Sequence, residues 1–228
     1  LDRAGFVGAD GPTHHGLYDL TYLRMIPNMT IMVPRDGEEL RGMMELAYNN
    51  ESGPSAIRYP RGNTANPDEN DCSQLEFGKA QILRKGKDIA LFAIGLMVDI
   101  AEQTADLLEK NGYSVAVVNA RFVKPLDEDV IVRLGREVQL LVSLEENTIH
   151  GGFGSGVLET LSVSGICVPP LQLGVPDRFI AQGNPDEQLR SAELSMEQIY
   201  SRILERLPVP AHKKIRKKRI VSPKILAS

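Results

Sequence analysis

The stretch from Met29 to Gly62 most constrains the fold. "MTIMVP", residues 29–34, is a short apolar run ended by Pro34 and reads as a buried strand. Asp36 then stands where a helix N-cap belongs, and Leu40, Met43, Met44 and Ala47 recur at helical spacing up to about Asn49. "PSAIRYP", after Gly53, is a second strand. A strand, a helix and a strand in this order make the βαβ unit of a parallel sheet.

Residues 62–76, "GNTANPDENDCSQLE", carry almost nothing apolar and are rich in Pro, Gly, Asn and Asp, as a linker between domains is. The expected organisation is a unit over residues 1–62, a linker over 63–76, a second domain over 77–207 and a basic tail over 208–228. Within the second domain the alternation resumes. A lead-in strand and a turn at Lys85–Gly86 precede a buried strand over residues 88–95. The helix over 97–111 sets Val98, Ala101, Ala105 and Leu108 on one face, and Gly112 ends it. "YSVAVVNARF" is a strand, and Asp127, Glu128 and Asp129 open a helix over 127–138, acids suited to a helix N-terminus. A strand through "QLLVSLEE", a helix over 155–163, a strand in "PPLQLGVP" and helical material over "DEQLRSAELSMEQIYSRILERL" complete it. Alternation of this kind predicts an α/β class with a doubly wound, mainly parallel sheet.

With 42% hydrophobic residues the chain has material for a real core, and with no Trp and 5% aromatics that core is aliphatic. No apolar run approaches the roughly 20 residues of a membrane span. "LDRAGFVG" has neither the basic nor the apolar region of a signal peptide, and it lacks an initiator Met. Cys72 and Cys167 are too few for a disulfide framework and read as free thiols of a reducing cytosol, with Cys167 in a packing role. The formal net charge of −4 hides an asymmetry: the last 17 residues hold seven Lys and Arg and no acid, so the first 211 residues carry −11. A basic run can bind nucleic acid or anionic surfaces, but no aromatic is interleaved to stack on bases, and a solvated tail is the plainer reading.

Chemistry concentrates in "GADGPTHHG", residues 8–16, which holds two of the four histidines. Arg3 precedes it, Asp10 and His14 lie within it, and Arg58 and Arg61 lie at the end of a predicted strand in "RYPRG". Ligands of open α/β sheets bind beyond the carboxyl ends of strands. Guanidiniums there suit a phosphate, because each offers a planar fork of donors. A His beside an Asp suits proton transfer at a sugar oxygen. Residue types alone leave two readings open: a site for a phosphorylated small molecule, or a structural turn with ordinary surface arginines. "EENTIHGGFGSG", residues 145–156, is similarly divided between a tight strand-to-helix turn and a helix N-terminus that holds an anion, with His150 as a contact. It lacks both the G-x-G-x-x-G spacing and the Lys of a P-loop. Glu145 and Glu146, adjacent on a strand, point to opposite faces and do not make a paired-carboxylate centre.

Five stretches, "DRAGFVGADGPTHHG", "YLRMIPNMTIMVPRD", "GPSAIRYPRGN", "ARFVKPLDE" and "EENTIHGGFGSGV", together closely resemble the C-terminal half of the 1-deoxy-D-xylulose-5-phosphate synthase family, of the transketolase superfamily. The resemblance runs to about residue 207. It implies part of a transketolase-like pyrimidine-binding domain followed by a transketolase C-terminal domain, each on a mainly parallel sheet. It implies a transferase that uses thiamine diphosphate and magnesium to decarboxylate pyruvate and join the remainder to D-glyceraldehyde 3-phosphate, in isoprenoid and thiamine biosynthesis. It also implies a homodimer, placed in the cytoplasm or in the plastid stroma of a plant or alga, with no membrane or nucleic-acid partner. By matching motifs, Arg3 and Arg61 would hold the acceptor phosphate, in preference to Arg58. Asp10 and His14 would contact substrate hydroxyls, with His14 the proton shuttle. The family's metal motif and activating glutamate have no match here, which implies an inactive isolated chain with no metal ligands and no tight cofactor binding. Transketolase itself, a pyruvate dehydrogenase beta subunit and a non-catalytic dimerisation module are the competing readings.

Overall fold

The computed structural model describes residues 1–50, 53–63 and 75–207. The linker centre with Cys72 and the basic tail lie outside the described residues. A 3-10 turn at Gly8–Asp10 leads to a short helix α1 (Asp19–Arg24), followed by β1 (Thr30–Met32), α2 (Gly37–Asn49) and β2 (Ser55–Ile57). Asp36 caps α2 as expected, its Oδ1 accepting from the Glu39 amide at 2.9 Å. β1 and β2 are parallel, with Ile31 opposite Ala56, which makes the βαβ unit. On α2 the packed face runs through Met43, while Met44 is exposed, contrary to the expected stripe. Met43 meets Met32 and Phe122, a contact supplied from another part of the chain.

The second unit comprises β3 (Gln81–Arg84), β4 (Ile89–Ala93), α3 (Met97–Lys110), β5 (Val115–Asn119), β6 (Phe122–Lys124), α4 (Glu128–Glu137), β7 (Leu140–Thr148), α5 (Phe153–Val163), β8 (Pro170–Val175), α6 (Pro185–Ser191) and α7 (Met196–Leu204). Its five-stranded sheet has the order β3-β5-β4-β7-β8. All neighbours are parallel except β3, which pairs antiparallel with β5. Side chains alternate across β4: Ile89, Leu91 and Ala93 join Ala101, Leu108, Ile199 and Ile203 on one face. Ala90, Phe92 and Ile94 join Ile131, Phe153 and Leu161 on the other. Helices therefore cover both faces, which is why β4 reads as a continuous apolar run.

Three expectations need correction. The single strand expected across "YSVAVVNARF" breaks at Arg121, whose φ of +59° turns the chain out of the large sheet. β6 then pairs antiparallel with β1, Met32 opposite Phe122, so the smaller sheet has the order β2-β1-β6 and is mixed rather than mainly parallel. The expected C-terminal helical material is present, as α6 and α7, with Ser195 starting a new capping box with Gln198. Cys167 is exposed rather than packed, the buried position falling to its neighbour Val168.

β6 is one of several ties between the two units. Glu39 of α2 is buried and accepts from Arg121 Nε at 2.6 Å and from Asn119 Nδ2 at 2.8 Å. Arg35 pairs with Asp99 at 2.9 Å and Glu102 at 2.6 Å on α3. Among the described residues no helix is long and apolar enough to cross a membrane.

Candidate functional site

The two arginines of "RYPRG" have opposite fates just beyond the carboxyl end of β2. Arg58 turns inward and is 2% exposed. Its Nε lies 3.0 and 2.9 Å from the two carboxylate oxygens of Asp19. Its Nη2 donates to Glu146 O at 2.7 Å and also to Gly16 O. A guanidinium so committed ties α1, the first loop and β7 together.

Arg61 points outward. Its Nη1 donates to Asp10 Oδ2 at 2.5 Å, and Arg3 Nη1 donates to the same oxygen at 3.2 Å. The backbone explains the meeting. Tyr59 N donates to Leu1 O at 3.0 Å and Ala4 N to Tyr59 O at 3.0 Å, so Arg3 runs alongside the segment that leads to Arg61. Asp10 closes the 3-10 turn that follows. All three side chains are substantially exposed, at 42% for Arg3, 33% for Asp10 and 61% for Arg61. Exposed ion pairs contribute only about 0–1 kcal/mol each. Two cations sharing one carboxylate leave a net positive charge and several N–H donors facing solvent, which is what an anion such as phosphate requires. Arg61 also lines a pocket of about 430 Å3 with Pro34, Tyr59 and Leu96, but Arg3, Asp10 and His14 do not border it.

The paired histidines of the motif are unlike each other. His14 is exposed, with Nδ1 2.9 Å from Thr13 Oγ1 and no direct bond to the Arg3–Asp10–Arg61 trio. His15 is buried; its Nδ1 accepts from the Val7 amide at 3.1 Å and its ring stands edge-on to Phe6. Burial pushes the His15 pKa down, which favours the neutral ring that this accepting nitrogen needs. Residue type alone does not separate the two; only the motif match favours His14.

Glu145 and Glu146 do face opposite sides of β7, and both are buried. The Glu145 carboxylate accepts from Phe153 N at 2.7 Å and Gly154 N at 2.8 Å. The N-terminus of α5, which the sequence leaves open as an anion site, is thus filled by the chain's own carboxylate. A Cβ on Gly152 would lie 2.2 Å from Glu145 Oε2, so the glycines of "HGGFG" make room for this cap. The ring of His150 is exposed, and its carbonyl accepts from Thr21 Oγ1 at 2.8 Å. Arg24 Nη1 donates to Gly151 O at 2.7 Å and Gly152 O at 3.0 Å, so α1 pins the turn. Glu146 lies under the first loop, accepting from the Phe6 amide, and a Cβ on Gly5 would come 2.7 Å from its carboxylate. Burial pushes both glutamates up to about 7, against the pull of Arg58 and of their amide donors. The supporting roles of Thr21, Arg24, Glu145 and Glu146 were not legible, because each partner is distant in sequence or is a backbone amide. Among the described residues no group of three or more His, Cys, Asp or Glu side chains could hold a metal ion.

Comparison with known proteins agrees with this architecture. Residues 1–67 match the family model "Transketolase, pyrimidine binding domain" and residues 78–199 match "Transketolase, C-terminal domain". The chain is 47% identical over 212 residues to a 1-deoxy-D-xylulose-5-phosphate synthase of Thermosynechococcus vestitus, covering 92% of this chain and 33% of that protein. It is 48% identical over 206 residues to the synthase of Microcystis aeruginosa, covering 90% of this chain and 32% of that protein. The chain therefore spans about a third of the length of these curated relatives. A solved structure described as "Split gene transketolase, inactive beta4 tetramer" superposes with a TM-score of 0.78 at 29% identity, covering 91% of this chain and 65% of that one. On its pyrimidine-binding and C-terminal domains, the chain belongs to the transketolase family.

Proposed function

We propose that the chain forms the acceptor-binding part of a 1-deoxy-D-xylulose-5-phosphate synthase, which condenses pyruvate with D-glyceraldehyde 3-phosphate with loss of CO2. The observation that carries this reading is the convergence of Arg3 and Arg61 on Asp10 at an exposed strand end. The two guanidiniums grip the acceptor phosphate, and Asp10 fixes their spacing while its second oxygen accepts a bond from an acceptor hydroxyl. His14, exposed on the same loop, exchanges a proton with the acceptor carbonyl or hydroxyl oxygen. Thiamine diphosphate, held through magnesium, would make the two-carbon remainder of pyruvate nucleophilic in the assembled enzyme. The described residues do not fit that cofactor's metal-bridged diphosphate, since octahedral magnesium needs an oxygen cluster that they lack. We assign the cofactor's anchor to protein outside the described residues, and we expect the isolated chain to be inactive.

The deciding experiment replaces Arg61 or Arg3 by Ala in the assembled, active enzyme. Each loses a charge-assisted hydrogen bond to phosphate, about 1.5–3 kcal/mol, which lowers kcat/KM for glyceraldehyde 3-phosphate roughly 10- to 150-fold. The pyruvate KM should be little changed. Equal losses for both substrates would remove the phosphate assignment.

A second reading has the structural neighbour in its favour. That protein is described as an inactive β4 tetramer of a split-gene transketolase. A chain of the same two domains would then be one subunit of a two-chain enzyme, self-associating when alone. The exposed Tyr18, Tyr22 and Met25, in and flanking α1, offer an apolar face for such an association or for a homodimer.

A further inference from the structure

We propose that the C-terminal unit sets the geometry of the phosphate grip, and that Gln188 on α6 is the positioning residue through which it does so. The inference rests on the reading of Arg3, Asp10 and Arg61 given above. Gln188 is 2% exposed and 180 residues away from the turn it holds. Its Oε1 accepts from the Gly8 amide at 3.1 Å, and its Nε2 donates to Gly8 O at 2.9 Å. The side-chain amide thus pairs with both backbone groups of one residue, as a neighbouring strand would. The same Nε2 donates to Ala181 O at 3.0 Å, which fixes the amide's orientation, and lies 3.5 Å from His15 Nε2.

Gly8 is the residue that needs such a hold. It opens the 3-10 turn Gly8–Asp10 with a φ of +70°, and Gly11 closes it at +72°. The turn has a single weak internal bond, Gly11 N to Gly8 O at 3.3 Å. Asp10 sits at its end and is the common partner of Arg3 and Arg61. Exposed pairs of this kind do not fix a backbone by themselves. A hydrogen bond made inside protein is stronger than one facing water, and a buried donor left unpaired is costly. The rigid end of the sequence α6, Gln188, Gly8, Asp10, Arg3 and Arg61 is therefore the C-terminal unit. The Glu146 carboxylate, under Gly5 and bonded to the Phe6 amide, holds the other arm of the same loop from the same unit. A domain with no residue in the grip would thereby set acceptor affinity.

The test uses Gln188→Glu, nearly isosteric but unable to donate to Gly8 O and Ala181 O, and Gln188→Leu, which removes both functions. Amide hydrogen exchange on the 228-residue chain is read at Gly8 and at core amides of β4 and β7. Exchange at Gly8 should accelerate about tenfold in Gln188→Leu, the loss of one to two ordinary net hydrogen bonds, and by a few-fold in Gln188→Glu, whose carboxylate still accepts from the Gly8 amide but faces the carbonyl oxygens of Gly8 and Ala181, while β4 and β7 change little. In the assembled enzyme the KM for glyceraldehyde 3-phosphate should rise about tenfold, with kcat and the pyruvate KM within about twofold. Unchanged Gly8 exchange overturns the proposal. So does equal acceleration in β4 and β7, which would mark general destabilisation, or an acceptor KM that stays put while Gly8 loosens. If Gln188→Leu does not fold, Gln188→Glu alone decides. Arg61→Ala is measured in parallel: if it leaves the acceptor KM unchanged, the phosphate reading has failed, and the exchange result still tests the hold on Gly8.

Discussion

Replacing Glu146 by Gln should stabilise the protein in a way that grows with pH. Glu146 is 8% exposed, so solvent screens it little. Burial raises its pKa from 4.5 to about 7, with Arg58 and the Phe6 amide pulling the other way. Because the folded value is the higher one, the group's favourable contribution is complete below pH 4.5 and is lost as pH rises through about 7. At about 1.4 kcal/mol per pH unit, that interval is worth about 3 kcal/mol. Gln keeps the size of Glu and still accepts from the Phe6 amide, but it does not titrate. Glu145 and Arg58 are present in both proteins, so their own contributions largely cancel. Urea unfolding of the 228-residue chain, followed by circular dichroism at pH 5, 6, 7 and 8, gives the difference in unfolding free energy. The advantage of Glu146→Gln over the parent should increase by about 2.5 kcal/mol between pH 5 and 8. A difference that is flat with pH, or largest at pH 5, would mean that Glu146 stays ionised against Arg58 throughout, and the reasoning from burial would be refuted.

Other outcomes follow from the same geometry. Arg58→Met leaves Asp19 buried without its cation and should cost about 3–5 kcal/mol in denaturant unfolding; a loss below about 1 kcal/mol would show Arg58 to be dispensable. His14→Ala in the assembled enzyme should lower kcat by about 10²–10⁴-fold, and a near-normal kcat would leave His14 a positioning role only. Titration calorimetry of the isolated chain with thiamine diphosphate and Mg2+ should show no micromolar affinity, and a pyruvate-consumption assay no turnover above background. Either signal would show that the residues needed are present after all.

The local grammar of the chain was readable and its long-range ties were not. Asp36 and Asp127 cap their helices as residue type dictates, and the period of Val98, Ala101, Ala105 and Leu108 places the buried face of α3. Each of those signals is written within one element. The break at Arg121 is written elsewhere: its guanidinium is drawn to Glu39, 82 residues away, and the strand it ends is captured by β1. Residue types alone did not choose between Arg58 and Arg61; the resemblance favoured Arg61, and the buried Asp19 accounts for the inward turn of Arg58. The glycines before α5 looked equally suited to a ligand or to a turn. The answer lay in Glu145, eight residues upstream of the first amide it caps, a distance at which helix-capping patterns carry no signal.

The contrast between buried and exposed polar contacts separates stability from binding in this molecule. Arg58–Asp19 and Arg121–Glu39 are enclosed pairs with full sets of partners, and breaking either leaves a charge stranded in the interior. The Arg3–Asp10–Arg61 trio faces water, so removing one member forfeits an ion pair worth about 0–1 kcal/mol. The trio cannot be explained as a fold-stabilising device, since two cations on one exposed carboxylate gain little and repel each other. Its geometry is instead held from beneath, by Gln188 on Gly8 and by Glu146 on the Phe6 amide. Substitutions in the trio should therefore alter affinity for the acceptor phosphate while leaving the unfolding midpoint close to the parent's. Substitutions at Arg58 or Arg121 should do the reverse before any effect on binding can be read.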